Sequence, residues 1–207
     1  MTSAKPALDR PAETACVLNV DRGRGFIINH NERRLVVTAG HCLPSLPPAH
    51  AAACLEDRTF AGILASLDGS KNGIWAVCLF VDPVADIAVL GCPDDQTFFE
   101  EFDAYNDLTE NAPFLQIGKA ETGQGYVLSL GGEWVRTELQ VFSGMGGSSL
   151  SIDPTEAGQS GSPILNDAGQ AVGVIVIGTE TGESGKRINQ RSGPQPILMR
   201  NLPGWLL

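Results

Sequence analysis

The chain has 207 residues, of which 43% are hydrophobic, and carries a formal net charge of −10. This length and apolar content fit one folded domain or two small ones and exclude a largely disordered chain. The acidic balance, with no basic patch in the sequence, argues against a nucleic-acid partner.

The apolar runs are short. The longest ones, such as 74–81 and 171–178, fall well below the roughly 20 residues that a helix needs to span a bilayer. Residues 1–15 contain no apolar core of the kind found in a secretory signal. We therefore expect a cytoplasmic protein with no membrane partner.

The cysteine pattern favours free thiols. The five cysteines are odd in number and include no C-x-x-C pair; they are Cys16, Cys42, Cys54, Cys78 and Cys92. This pattern argues against a zinc site. Buried, reduced thiols in a reducing compartment are the simpler interpretation, and we expect neither a metal nor another cofactor.

Short apolar runs separated by turn residues recur along the chain and predict strands. They cover 15–20, 25–29, 34–39, 59–67, 74–81, 86–91, 125–131, 134–142, 148–152, 162–165 and 171–178. The intervening segments contain the Gly, Asn and Asp residues typical of turns. This many short strands, with no alternating helices, predicts an all-β sandwich or barrel.

Three segments depart from the strand pattern. In 94–107, Phe98, Phe102 and Tyr105 recur at helical spacing, which predicts an amphipathic helix or an ordered loop between two halves of the fold. The hydrophilic stretch 178–196 predicts a long, mobile surface loop. The C-terminal stretch 201–207 predicts a short turn or helix that caps the barrel.

The stretch EAGQSGSPIL, at 156–165, places Ser160 in a glycine-rich setting. The stretch alone is compatible with a nucleophile or with a simple turn. A nucleophilic serine needs a base to take its proton and a third group to orient that base. The rest of the chain therefore has to supply a histidine and a carboxylate.

The chain has three histidines. His30 lies in a predicted hairpin turn, and His50 follows a proline cluster. His41 ends a β-rich run beside Ala39 and Gly40, whose small size leaves room around an imidazole. A histidine at a strand end is, taken alone, more often structural, so His41 is a candidate base only in combination with the other residues.

The carboxylate candidates are Asp82 and Asp86, both in FVDPVADIAVL. Asp86 directly precedes an apolar strand, so its side chain should lie at the barrel edge, where a partly buried carboxylate needs a partner such as an imidazole N–H. Asp86 is therefore the first candidate and Asp82 the second, although a turn or cap role is the more common one for such an Asp.

Together the residues follow the chain order His41, Asp86, Ser160, one of the known orders of a serine triad. The blocks VVTAGHC, DIAVL and GQSGSP resemble the three active-site blocks of the chymotrypsin-like (trypsin-fold) serine peptidases. GRGFII resembles the opening strand of the bacterial HtrA-type and glutamyl-endopeptidase-like groups. AVGVIVIG resembles the strand that borders their substrate cleft, so the resemblance covers roughly Cys16 to Gly178.

The resemblance implies a fold of two six-stranded antiparallel β-barrels with the active site between them. A single peptidase domain would occupy 1–207. Its first barrel would cover roughly 14–93, a connector 94–112, and the second barrel with a C-terminal cap 113–207.

The resemblance also implies a serine endopeptidase that works through an acyl-enzyme intermediate. His41 would be the general base and then the acid, Asp86 would orient it, and Ser160 would be the nucleophile. The backbone N–H groups of Gly158 and Ser160 would form the oxyanion hole. The partner would be a protein or peptide substrate. Because bacterial domains of this kind often occur beside or fused to signalling modules, a regulatory protein or a fused signalling module is a further expected partner.

The residues implied to bind substrate are Thr155, Ala157, Val176, Ile177 and Gly178. The last three would pair with an extended substrate backbone. No carboxylate stands at the pocket floor, where the chain has Pro154, and Ile175 replaces the His of glutamyl endopeptidases. This favours an uncharged, small or medium apolar residue before the scissile bond.

Two departures from the secreted relatives predict, in turn, an enzyme without N-terminal zymogen activation and one that is reduced and intracellular. Gln159 stands where those relatives carry the Asp that pairs with a newly formed N-terminus, and an amide forms no such ion pair. Cys42 follows the histidine as in those relatives, but the strand at 22–28 supplies no cysteine to pair with it.

A different class of function is compatible with the same blocks. A catalytically silent or latent trypsin-fold module would bind peptides or partner proteins, and a flipped oxyanion loop would keep it inactive until a partner shifted the equilibrium.

Overall fold

The computed structural model describes residues 7–8, 10–48, 55–144, 147–152, 156–176 and 194–207. The strands in these ranges form two antiparallel β-barrels, one closed and one nearly closed. The predicted all-β double barrel is therefore confirmed.

Strands and helices are numbered in chain order. The strands are β1 (Ala7–Leu8), β2 (Val17–Val20), β3 (Gly23–His30), β4 (Arg33–Ala39), β5 (Thr59–Ser66), β6 (Ile74–Asp82), β7 (Ile87–Gly91), β8 (Gly123–Leu128), β9 (Trp134–Gly144), β10 (Gly147–Ser151), β11 (Pro163–Asn166), β12 (Ala171–Val174) and β13 (Gln195–Pro196). The α-helices are α1 (Pro11–Thr14), α2 (Phe99–Thr109) and α3 (Leu198–Asn201). Short 3₁₀ turns cover Gly40–Cys42, Glu56–Arg58 and Gly204–Leu206.

The first barrel closes in the order β2–β3–β4–β7–β6–β5. Its interior is filled by aromatic and aliphatic side chains, among them Phe26, Leu64 and Leu90, which are fully buried. The β3–β4 hairpin turns at Asn31 and Glu32, both with positive φ, the geometry of the tight turns that match strand twist.

The second barrel follows the path β12–β11–β8–β9–β10–β13, with β1 added beside β9. An isolated antiparallel bridge between Gly173 and Ile197 brings the two ends of this path together. Its core consists of aliphatic side chains, including Leu150 and Ile164, both at 0% exposure. The predicted loop 178–196 is wrong at its end, because Gln195 and Pro196 form β13 and are buried; residues 178–193 lie outside the described ranges.

The connector between the barrels contains α2, which begins at Phe99 rather than at Asp94. The Asp94 Oδ1 accepts hydrogen bonds from the Gln96 and Thr97 N–H groups, and this local turn competes with a helix start. In α2, the buried Tyr105 donates its O–H to the Arg34 carbonyl at 2.9 Å and so holds the helix against the first barrel.

The chain after α2 bonds to both barrels. The Leu115 N–H donates to the Ile27 carbonyl of the first barrel at 2.9 Å. The Ala171 N–H of the second barrel donates to the Gln116 carbonyl, also at 2.9 Å. This segment therefore fixes one barrel against the other.

The predicted free thiols are seen at the four cysteines that the structure describes; Cys54 lies outside those ranges. Burial raises the pKa of Cys16 to about 12 and that of Cys42 to about 11. Both thiols therefore stay protonated at neutral pH. None of the described helices is long and apolar enough to cross a bilayer.

Truncation of the first barrel's core should cost far more stability than truncation of its surface. Leu90 of β7 is 0% exposed and Leu79 of β6 is 41% exposed. We expect Leu90→Ala to lower the free energy of unfolding by about 2–5 kcal/mol, because it leaves a cavity. Leu79→Ala is the matched control, and equal losses in urea denaturation would contradict the barrel interior described here.

Candidate active site

His41 and Asp86 meet because of the pairing of β4 with β7. The last residue of β4, Ala39, is paired with the first residue of β7, Ile87. One step beyond this pair, the Gly40 N–H donates to the Asp86 carbonyl at 2.9 Å. The strand register thus brings the residue after Gly40 next to the residue before Ile87.

Two hydrogen bonds join Asp86 to His41. The Asp86 Oδ2 lies 2.6 Å from the His41 Nδ1, and the Asp86 Oδ1 accepts the His41 backbone N–H at 2.8 Å. Asp86 adopts φ +57°, a left-handed conformation that Asp tolerates better than most residues. A Cβ on Gly40 would lie 3.0 Å from the Asp86 Oδ1, so this glycine leaves room for the carboxylate.

Asp82, the second carboxylate candidate, has a turn role. Its Oδ1 accepts hydrogen bonds from the backbone N–H groups of Val84 at 2.8 Å and Ala85 at 3.1 Å. This is the side-chain turn that Asp commonly forms. Of the two candidates, Asp86 is the one bonded to His41.

Ser160 is held against the start of β3. The Arg24 N–H donates to the Ser160 carbonyl at 2.7 Å. A Cβ on Gly23 would lie 2.6 Å from the Ser160 carbonyl oxygen and 2.5 Å from the Cys42 Sγ. Gly23 therefore allows the serine backbone to lie beside Cys42, the residue that follows His41.

Gly161 allows the same close approach from the other side. It has φ +83°, and a Cβ there would lie 1.7 Å from the Arg24 carbonyl oxygen. Its N–H donates to the Ile175 carbonyl at 2.6 Å, and the Ile175 N–H donates to the Ser162 carbonyl at 2.9 Å. The loop 156–162, called the serine loop below, is thus fixed by β3 and by Ile175, the residue that follows β12.

The backbone N–H groups of this loop fall into two sets. Those of Gln159, Gly161 and Ser162 donate to carbonyls at 3.2, 2.6 and 2.9 Å. Those of Gly158 and Ser160 have no acceptor among the described residues. Gly158, with φ +94°, is exposed. Two N–H groups, one on each side of Gln159, are therefore available to bind an anion or a polarised oxygen.

Gln159 orders the loop from inside. Its side chain is 4% exposed. The Oε1 accepts the Glu156 N–H at 2.7 Å, and the Nε2 donates to the Leu128 carbonyl at 3.0 Å. An amide both accepts and donates, so Gln159 satisfies two backbone groups that a carboxylate would not satisfy together. From the sequence alone, Gln159 predicts only the absence of an ion pair with a new N-terminus.

The described structure does not connect every candidate residue. Within the described residues, no hydrogen bond joins the Ser160 Oγ to His41. The Ser162 Oγ, which is buried, also has no partner there. No three His, Cys, Asp or Glu side chains of the described ranges come together as a metal site would require.

The predicted substrate-binding residues are only partly described. Thr155, Ile177 and Gly178 lie outside the described ranges. Ala157 is exposed. Val176 is 8% exposed, and its backbone N–H donates to the Gln195 Oε1 at 2.7 Å.

The sequence matches the family model described as trypsin-like peptidase domain over residues 23–174. This match runs from β3 to β12 and includes His41, Asp86, Ser160 and the loop that holds the serine. The chain therefore belongs to the family of trypsin-like peptidase domains, whose fold supports serine peptidase activity. No curated protein matches this sequence.

The chain is similar to solved structures at low sequence identity, and two of them, with TM-scores of 0.50 or more, show the same fold. The MamO protease domain from Magnetospirillum magneticum, in its apo form, is 16% identical, with a TM-score of 0.53 over 92% of this chain and 95% of that one. The HtrA-type protease AlgW with a decapeptide is 18% identical, with a TM-score of 0.50 over 86% of this chain and 48% of that one. The Rv3671c protease from M. tuberculosis in its active form is 19% identical, with a TM-score of 0.48 over 95% of this chain and 86% of that one.

A methyl group on Gly161 should disrupt the contact between the barrels. Gly132 provides a matched control, because its φ of +84° is nearly the same and nothing lies within 4 Å of a Cβ there. Both alanines carry the backbone strain, but Gly161→Ala also collides with the Arg24 carbonyl. We expect it to lower the free energy of unfolding by about 1–3 kcal/mol more than Gly132→Ala. Equal losses in urea denaturation would contradict this packing.

Proposed function

We propose that this protein is a serine endopeptidase that hydrolyses peptide bonds through an acyl-enzyme intermediate, with His41, Asp86 and Ser160 as its catalytic residues. The observation that carries the proposal is the pairing of the His41 Nδ1 with the Asp86 Oδ2 at 2.6 Å. With the carboxylate as acceptor, the Nδ1 would carry the proton that forms this hydrogen bond, and the Nε2 would be free to act as a base.

In the first half of the reaction, the Ser160 Oγ would attack the carbonyl carbon of the scissile bond while the His41 Nε2 takes its proton. The tetrahedral intermediate would collapse as the C–N bond breaks, and His41 would return the proton to the leaving amine. A water would then lose its proton to His41 and attack the acyl ester, and the serine would recover its proton as the carboxylic acid leaves. Asp86 would stabilise the charged imidazole throughout.

The free N–H groups of Gly158 and Ser160 support the assignment of the oxyanion hole to these residues. Charge develops on the carbonyl oxygen in the transition state, and fixed N–H donors stabilise it most where the loop does not have to reorganise. The bonded N–H groups of Gln159, Gly161 and Ser162 supply this rigidity.

The contacts of Gln159 support an enzyme that needs no new N-terminus to become active. Its buried amide already bonds to the Glu156 N–H and to the Leu128 carbonyl. The loop is therefore ordered by neutral contacts within the chain, and a charged terminus would find no carboxylate at position 159.

The substrate would be an extended protein or peptide segment that lies along the chain beyond β12. Since the Val176 N–H is bonded to Gln195, Val176 would offer only its carbonyl to the substrate backbone. Ile177 and Gly178 would continue this edge, and Thr155 and Ala157 would border the pocket for the residue before the scissile bond. Ile175 is fully buried in the core of the second barrel, so it supplies no charged group to that pocket.

A latent or silent trypsin-fold module is the second candidate function. The observation that favours it is the missing hydrogen bond between the Ser160 Oγ and His41 in the described structure. In unliganded enzymes such bonds are often long and shorten when substrate binds. The absence of this bond is therefore compatible with the endopeptidase as well. The reactivity of Ser160 distinguishes the two.

A fluorophosphonate should label Ser160 alone. We expect intact-mass analysis to show one adduct per chain in the wild type and none in Ser160→Ala, because only an activated hydroxyl attacks the reagent. Ser162→Ala is the matched control, since it removes a buried hydroxyl two residues away and should keep the adduct. A folded wild type with no adduct would support the latent module instead.

Substitution of the two aspartates should separate their roles. Asp86→Asn should lower turnover of a fluorogenic casein on the order of 10⁴-fold, because the amide would hold the imidazole in the wrong tautomer. Asp82→Asn should leave turnover close to that of the wild type, since Asp82 bonds only within its own turn. The reverse result would assign the catalytic carboxylate to Asp82.

A further inference from the structure

Arg24 is a buried cation in the strand that holds the serine loop. The residue is 7% exposed. Its guanidinium donates hydrogen bonds to the carbonyls of Leu128, Ser129 and Leu130, at 3.3, 2.9 and 3.4 Å. Among the described residues, no carboxylate forms an ion pair with it. A buried charge held only by carbonyls is costly, which points to a role beyond stability.

The backbone of Arg24 contacts the serine loop directly. Its N–H donates to the Ser160 carbonyl, and its own carbonyl accepts the Thr38 Oγ1–H at 2.7 Å and lies against Gly161. The side chain and the backbone of one residue therefore reach two different segments of the second barrel, 128–130 and the serine loop.

These two segments also contact each other. The Leu128 carbonyl accepts the Gln159 Nε2–H as well as the Arg24 guanidinium. The Leu130 side chain reaches to 3.4 Å from the position that a Cβ on Gly158 would occupy. Arg24 thus holds the segment that flanks both Gly158 and Gln159.

We propose that Arg24 is a positioning residue that keeps the Gly158 and Ser160 N–H groups directed at the reacting carbonyl, an inference that rests on the proposed function. The planar guanidinium binds three successive carbonyls at once, which the single ammonium of a lysine would not do. Without it, segment 128–130 would lose its anchor, the Gly158 peptide would be free to rotate, and one oxyanion donor would be lost.

The test compares the rate and the extent of fluorophosphonate labelling in the full chain. Arg24→Met keeps an unbranched side chain but removes all donors. We expect its labelling rate to fall on the order of 100-fold, the effect of losing one oxyanion donor, while labelling still reaches one adduct per chain. Arg24→Lys should label at a rate between those of Arg24→Met and the wild type.

Arg34→Met is the matched control. Arg34 also lies in the first barrel, where it bonds to the Asn29 side chain and stacks on the Phe114 ring, and its loss should leave the labelling rate unchanged.

Three outcomes would overturn the inference: a wild-type rate in Arg24→Met, a wild-type rate in Arg24→Lys, or a lower final extent of labelling with an unchanged rate. The last would mean that Arg24 only stabilises the fold. If Arg24→Met does not fold, the rate of Arg24→Lys alone decides. A wild type that takes no label would instead refute the proposed function itself.

Discussion

The hydrogen bond from the Arg24 N–H to the Ser160 carbonyl links the two barrels at the candidate active site. His41 and Asp86 belong to one barrel and Ser160 to the other, so the proposed triad depends on this contact. The contact depends on two positions without side chains, Gly23 and Gly161, where a Cβ would lie within 2.6 Å and 1.7 Å of the opposing backbone. Gly23 is therefore required by packing, and Gly161 both by packing and by its positive φ.

The two parts of the site are fixed by different physical means. The pairing of β4 with β7 places His41 beside Asp86, and strand register is a rigid constraint because a slip of one residue would turn every side chain to the opposite face. The serine loop has no such ladder. It depends on hydrogen bonds to single carbonyls and on the buried side chains of Gln159 and Arg24. Local changes at those two residues would therefore affect the N–H groups of the loop before they affected the imidazole.

Much of the fold could be predicted from the sequence, because apolar runs between turn residues indicate strands wherever one face is buried. The sequence does not predict the two-residue strand β13, since Gln195 and Pro196 carry no apolar pattern and pair only through tertiary context. The helix α2 begins at Phe99, later than the spacing in 94–107 predicts, because Asp94 forms a turn with the N–H groups of Gln96 and Thr97. At the site, the sequence singled out His41, Asp86 and Ser160, and the structure joins the first two. Nothing in the sequence indicates a role for Arg24, because an arginine between two glycines is typical of an exposed position.

The connector after α2 has a consequence for how the protein unfolds. Leu115 bonds to the first barrel and Gln116 bonds to the second, so one short segment is part of both hydrogen-bond networks. If the first barrel opened alone, the Leu115–Ile27 and Arg24–Ser160 bonds would break, and if the second opened alone, the Gln116–Ala171 and Arg24–Ser160 bonds would break. Either event would remove contacts that hold the remaining barrel. The two barrels should therefore unfold in a single cooperative transition.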